Sequence, residues 1–290
     1  MNESSRGARF SLRPPVGPFP PTETTPRDLH NVGDNLDRNQ MKPDEILHAL
    51  THASFDDDDP PRKALAAASR QRRRMKPIFL DEIEDYLHAS PKTQREQPTP
   101  IPFIMLLFAE WRETDAYRPL ARLLRCNQFN TRFELADALD ELADPVMRST
   151  FDGDPSPLYE LALDPDASMH TRAVIMTDTI CTLTIAGRIE QESAADFLID
   201  AFEQLGSAPP RVWDGWANLI AHLQLSPLRP LVQRAIEANR FDDALFDYYD
   251  METFDEMMDD SAASPDNPSG ADMTPFGDVA TEILNRRHTF

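Results

Sequence analysis

The chain has 290 residues, 26 prolines against 9 glycines, and a formal charge of −21. Prolines gathered at the termini and at helix starts, with few glycines between, argue against an all-β fold, and so negative a surface repels phosphate backbones and anionic lipid headgroups at long range. No apolar run reaches the roughly eighteen residues that a membrane-spanning helix needs, Ile101 to Ala109 being half a span.

Residues 1–42 are rich in Pro, Ser, Thr and Asn with no hydrophobic period, and are expected to form a disordered tail. Their start has positive charge but no apolar run of secretory length before the prolines. Cys126 and Cys181 are the only cysteines, each among apolar neighbours in a predicted helix, so two buried thiols in a reducing compartment are expected. A cytoplasmic protein is the default expectation.

From Pro43 the helical signals begin. Pro43-Asp44-Glu45 opens a short helix with Ile46, Leu47 and Leu50 inward. Pro60-Pro61 starts a second, running to about Arg74, and Lys76 to His88 is its partner, with Ile78, Phe79, Ile83 and Leu87 as the stripe. Ser90 to Pro100 reads as a polar loop. Ile101 to Trp111 is almost wholly apolar, a helix buried on nearly every side. It turns at Arg112 to Asp115 into a helix whose Tyr117, Leu120, Ala121 and Leu124 form one stripe.

A third pair joins Phe133 to Leu142, broken at Asp144-Pro145, to the helix of Leu158 and Leu161. A fourth joins Met169 to Ala186, stopped by Gly187, to the stripe Ala194, Phe197, Leu198, Ala201, Phe202 and Leu205. The fifth joins Val212 to Leu223 with the helix of Leu231, Val232 and Ala235. The equivalent positions Pro77, Pro119, Pro157, Phe197 and Pro230 are 42, 38, about 40 and about 33 residues apart. A period near forty built of two helices is the mark of a HEAT-like α-solenoid. The predicted fold is therefore all-α, about five helix pairs over 43–240, followed by an acidic segment over 241–260 and an acidic disordered tail over 261–290, within which Val279 to Leu284 is expected to form at most a marginal helical turn.

Few constellations point to chemistry. His48 and His52 share one helix face, but HALTH lacks the glutamate of HExxH and fixes no third ligand, so no metal is assigned. The acid-free stretch Arg62 to Lys76 is the one basic patch, and Arg70, Arg72, Arg73 and Arg74 are candidate anion or phosphate ligands. The plainer reading is that these bases neutralise Asp56 to Asp59 and the cluster Asp81, Glu82, Glu84 and Asp85 on the adjoining helix. Arg118, Asp164, Asp166, Arg172 and Arg229 stand at turn and helix-start positions suited to a structural ladder between repeats, not to catalysis. Trp213 and Trp216 need a wide apolar stripe if both are to be buried, so one of them, Trp213, is a candidate partner contact. Residues 241–260 hold nine acids and no base, and either close the stack or offer Leu245, Phe246, Tyr249 and Phe254 to a partner's groove.

Three stretches then carry a resemblance. Phe108-Ala109-Glu110-Trp111-Arg112 with Ala116-Tyr117-Arg118-Pro119-Leu120, Phe151-Asp152-Gly153-Asp154 with Leu158, and Thr171-Arg172-Ala173 resemble the bacterial DUF 1186 family over about residues 44 to 255. The resemblance implies a helical-repeat domain and no reaction. Many members carry a C-terminal cysteine-rich zinc motif of the SEC-C type. This chain has no cysteine after Cys181, so that site does not carry over. The function expected is a non-enzymatic scaffold that binds a protein and needs no cofactor. The alternative is an enzyme or nucleic-acid module using helix 62–76.

Overall fold

The structure is a computed structural model that describes residues 41–53, 60–126, 133–241, 249–270 and 276–286. Contacts divide the chain after Gln40, and all the helices described below belong to the unit beginning at Met41. Residues 1–40, and with them nearly all of the expected N-terminal tail, lie outside the described residues.

The described residues form helices and no strand. They are α1 (Pro43–Thr51), α2 (Arg62–Arg70), α3 (Arg72–His88), α4 (Pro91–Glu96), α5 (Ile101–Trp111), α6 (Tyr117–Leu124), α7 (Phe133–Thr150) and α8 (Ser156–Leu163). Next come α9 (Met169–Val174), a π-helical turn (Ile175–Ile180) and α10 (Cys181–Ile185). The remainder are α11 (Gln191–Leu205), α12 (Pro210–His222), α13 (Arg229–Glu237), α14 (Met251–Ala263) and α15 (Val279–Arg286).

Apolar periodicity sorts these helices into two rows. In one, α2 packs on α5, α5 on α7, α7 on α9 and the π turn, these on α12, and α12 on α14. In the other, α3 packs on α6, α6 on α8 and α8 on α11. Helix α5 is the most enclosed, with Glu110 alone of its eleven residues not buried.

Polar bonds follow the same register. Tyr117 donates to the Asp154 carbonyl at 3.0 Å, 37 residues away, and Arg188 to that of Phe151 at 2.9 Å, also 37 away. Gln191 reaches the Leu223 carbonyl, 32 residues on, and Gln224 that of Met258, 34 on. Each joins a helix pair to the next one, which is how a stack of units too apolar to stand alone is tied together.

Three local expectations are corrected. Helix α3 starts at Arg72, so Pro77 is inside it instead of in its first turn. Helix α7 runs through Pro145, where a break was expected. Val146 and Met147 beyond that proline are fully buried, and packing of this kind outweighs the lost backbone bond. Between Ser90 and Pro100 the chain forms α4 instead of a plain loop, because the Ser90 hydroxyl caps it by accepting the Thr93 N–H at 3.2 Å.

The acidic C-terminal part contributes two further helices. Asp250 caps α14 by accepting the Thr253 N–H at 2.9 Å, and α14 covers α12. Helix α15 covers the stretch Val279 to Leu284, where at most a marginal helical turn is expected from the sequence, and it packs on α2 and α5, with Val279, Ala280 and Ile283 buried.

Candidate functional site

At the α2/α5/α15 junction a helix docks outside the order of neighbouring pairs. At its centre is Glu110, the single polar residue in the last turns of α5. The indole N–H of Trp111 donates to the Ser69 hydroxyl at 3.0 Å, and Ser69 donates to Glu110 Oε1 at 2.8 Å. The other carboxylate oxygen accepts the backbone N–H of Val279 at 3.0 Å, across 169 residues.

A carboxylate facing the first free N–H of a helix meets both an unpaired donor and the positive end of the helix dipole. Trp111 is fixed in turn by stacking on Phe79 at 5.9 Å and by the Arg72 guanidinium 5.8 Å from its ring centroid. In the sequence, Phe108 to Arg112 carries only a resemblance. The signal that was available for a site is a lone glutamate in an otherwise apolar helix.

Beside this junction lies the basic patch. Arg72 and Lys76 converge on Glu113 at 3.0 and 2.8 Å, and Lys76 also pairs with Asp115. Burial works against the Glu113 charge, but the bonds from Lys76 and Arg72 outweigh it and hold the carboxyl below its usual range. Arg72 is thus already engaged within the chain. Arg70, Arg73 and Arg74, with Lys63, are exposed and make no ion pair with a described residue.

The ladder residues bond mostly across successive helix pairs. Arg118 bonds Asp152 at 3.1 Å and Asp154 at 2.7 Å, Arg125 bonds Asp164 at 2.6 Å, and Arg229 bonds Asp255 at 2.6 Å. Arg172 is buried and donates to the Ala162 carbonyl at 2.9 Å. Asp166 is exposed, with its N–H bonded to the Asp164 carboxylate at 2.9 Å.

The candidate partner contacts fare differently. Trp213 and Trp216 are both inside, 5.5 Å apart, because α12 is covered by α9, α11 and α14 together and its apolar arc is correspondingly wide. Phe254 is fully buried and Tyr249 stacks on Phe241 at 4.5 Å. Trp213 and Phe254 are therefore core residues and not the partner contacts expected from the sequence. Leu245 and Phe246 lie outside the described residues. His48 and His52 have ring centroids 4.4 Å apart, and no group of three or more possible metal ligands occurs among the described residues.

A second polar cluster lines α7. Asp140 accepts hydroxyls from Ser168 and from Thr171, the latter at 2.5 Å, while Asp144 accepts Thr179 at 3.0 Å and a two-pronged bond from Arg148 at 2.8 Å. Asp178, in the π turn, is pushed up to about 6 by burial and then by Asp144, with Thr177, Arg148 and Arg211 pulling the other way.

The folded value lies above the unfolded 3.8, so the folded chain holds this proton more tightly. The group's contribution to stability is greatest below the unfolded value, falls as the pH rises from 3.8 to about 6, and stays low above that. Asp178 is only half-buried, and solvent screening trims the penalty to about 1–2 kcal/mol. Asp178→Asn is expected to gain about that much at pH 7 and almost nothing at the acid end, in urea midpoints measured at both. An equal gain at both would show that the charge is not the cause.

Helices packed on one another through apolar faces, with polar ties between them and no strand among the described residues, define an all-α protein. More particularly, the profile of DUF1186, a family described as proteins of unknown function, matches residues 41–265, and the chain belongs to that family. No curated protein and no solved structure gives a match. Among the described residues no helix is long and apolar enough to cross a membrane.

Proposed function

We propose that this chain is a non-enzymatic, cytoplasmic interaction scaffold, a HEAT-like stack of about five helix pairs whose helix faces receive a helical segment of a protein partner. The observation that carries the reading is the docking of α15 on α2 and α5, a face that accepts a helix from 169 residues away. Amphipathic helices laid into apolar grooves are a recurrent mode of protein recognition. Several charged side chains, those of Arg118, Arg125 and Arg229 among them, are spent on ties between helix pairs.

A second reading, a nucleic-acid module on helix 62–76, is favoured by Arg70, Arg73 and Arg74, which are exposed and make no ion pair with a described residue. One experiment separates the two. A photo-crosslinking amino acid placed in turn at the exposed positions Ala66, Arg73 and Met169 in the native cell should give discrete protein adducts. Adducts to RNA or DNA from Arg73 would favour the second reading, and no intermolecular adduct at any position would sink the scaffold.

A further inference from the structure

We infer that the α2/α5 face is a binding site for an acidic amphipathic helix of a partner protein, and that α15 is its intramolecular placeholder. The inference rests on the scaffold reading and names the site and the chemistry of the occupant.

The docked helix supplies the template. Asp278 caps it, accepting the Thr281 N–H at 3.1 Å, and Glu282 accepts the Gly277 N–H at 3.0 Å. The first N–H of the helix meets Glu110, and Val279, Ala280 and Ile283 enter the apolar face. An occupant therefore needs a capped N-terminus over Glu110 and apolar side chains at i, i+1 and i+4. The receiving helix α2 buries Ala64, Leu65, Ala67 and Ala68, mostly small residues, between α15 and its other neighbours α1, α3 and α5.

The placeholder is held weakly. A helix of eight residues is well below the roughly twelve to fifteen needed for even marginal helicity in isolation. Its two large aliphatic anchors return about 1.5–3 kcal/mol each, against an ordering cost of about 1–2 kcal/mol per residue. The tether supplies the rest by keeping the local concentration high. Such a contact yields to a longer partner helix.

Charge gives the direction of preference. Residues 276–286 carry Asp278, Glu282 and Arg286 and so a net charge of −1, leaving Lys63, Arg70, Arg73 and Arg74 without a described counter-charge. Arg70 directly follows Ser69, the residue that fixes Glu110, and Arg72 sits over the Trp111 ring. The receiving face thus adjoins the basic patch of a chain whose formal charge is −21. An occupant with an acidic outer flank satisfies both the apolar face and the patch, and the α15 sequence satisfies only the first.

The test uses two labelled peptides in fluorescence anisotropy against full-length protein. One reproduces residues 276–286, and the other adds Thr281→Glu and Arg286→Glu. Full-length Ile283→Asp, which releases α15, is expected to bind the acidic peptide at least tenfold more tightly than the unsubstituted chain. At low salt the acidic peptide should bind several-fold more tightly than the one with the native sequence, and the difference should vanish in about 0.5 M salt, where the screening length is only a few ångströms. Arg70→Glu with Arg73→Glu should remove it at any salt.

Equal binding by the two proteins, or no binding by either, would overturn the site, and equal binding of the two peptides would overturn its charge preference. Should Ile283→Asp not fold, hydrogen exchange on the unsubstituted chain decides. Saturating acidic peptide must expose the amides of Val279 to Ile283, and unchanged protection rejects the proposal. A chain that cross-links to proteins through other faces while leaving the peptides unbound loses this site and keeps the scaffold.

Discussion

Gly215→Ala is expected to destabilise the protein by about 1–3 kcal/mol, although in mid-helix the same change normally stabilises by about 0.5–1 kcal/mol. The reversal of sign comes from the seam between α12 and α9. A Cβ on Gly215 would lie 2.8 Å from the Ala173 Cα, 3.1 Å from its carbonyl oxygen and 3.2 Å from its Cβ. The first two are backbone atoms and cannot swing aside, so the helices must separate and lose packing on both flanks. Gly215→Leu should be worse, exceeding about 3 kcal/mol, because no rotamer escapes the contact. The informative control is Gly215→Ala with Ala173→Gly. It removes only the third of the three contacts and should restore less than half of the loss in urea unfolding. A neutral or stabilising Gly215→Ala would show that α9 and α12 do not approach this closely.

The apolar stripes located most of the helices because each stripe is a signal contained within about fifteen residues of sequence, whereas the proline-led spacing misplaced a helix start, Pro77 lying inside α3. Where prediction and structure part, the deciding force comes from outside the segment. Pro145 reads locally as a break, but Val146 and Met147 are fully buried beyond it and hold the helix continuous. Trp213 reads as one tryptophan too many for a single stripe, yet α12 is covered on several sides and buries both. The candidate site was least legible of all. Val279, Ala280 and Ile283 are a fragment of a stripe in a helix too short to show a period, and the Glu110 that receives it is 169 residues away. Neither half carries a recognisable motif alone.

This division bears on function. Bonds such as Tyr117 to Asp154 and Arg188 to Phe151 repeat at one helix-pair separation, and serve the stack. The bond from Val279 to Glu110 breaks that rule. Contacts outside the repeat register are not required for neighbouring pairs to stand, so they are the place to look for what the stack is used for.

The fourth helix pair should fail when its other seam is broken. Phe197 of α11 lies parallel to Tyr159 of α8, ring centroids 4.2 Å apart and planes 6° from coplanar, and it is 6 % exposed. Phe197→Asp removes this stack and the apolar burial, at about 3–5 kcal/mol for loss of the ring alone, and then leaves a carboxylate where nothing compensates its desolvation. That approaches the whole stability of many domains, about 5–15 kcal/mol. The cooperative loss of helical ellipticity on heating is therefore expected to collapse to a broad, early transition. Phe197→Leu keeps the burial and loses the stacking, so it should cost only about 1–2 kcal/mol and leave the transition sharp. Tyr159→Leu should match it, and the two together should cost less than the sum, because the second change removes a contact already gone. Unchanged melting in Phe197→Asp would mean that α8 and α11 are not packed through this face, and the stacking of one helix pair upon the next would lose one of its two rows.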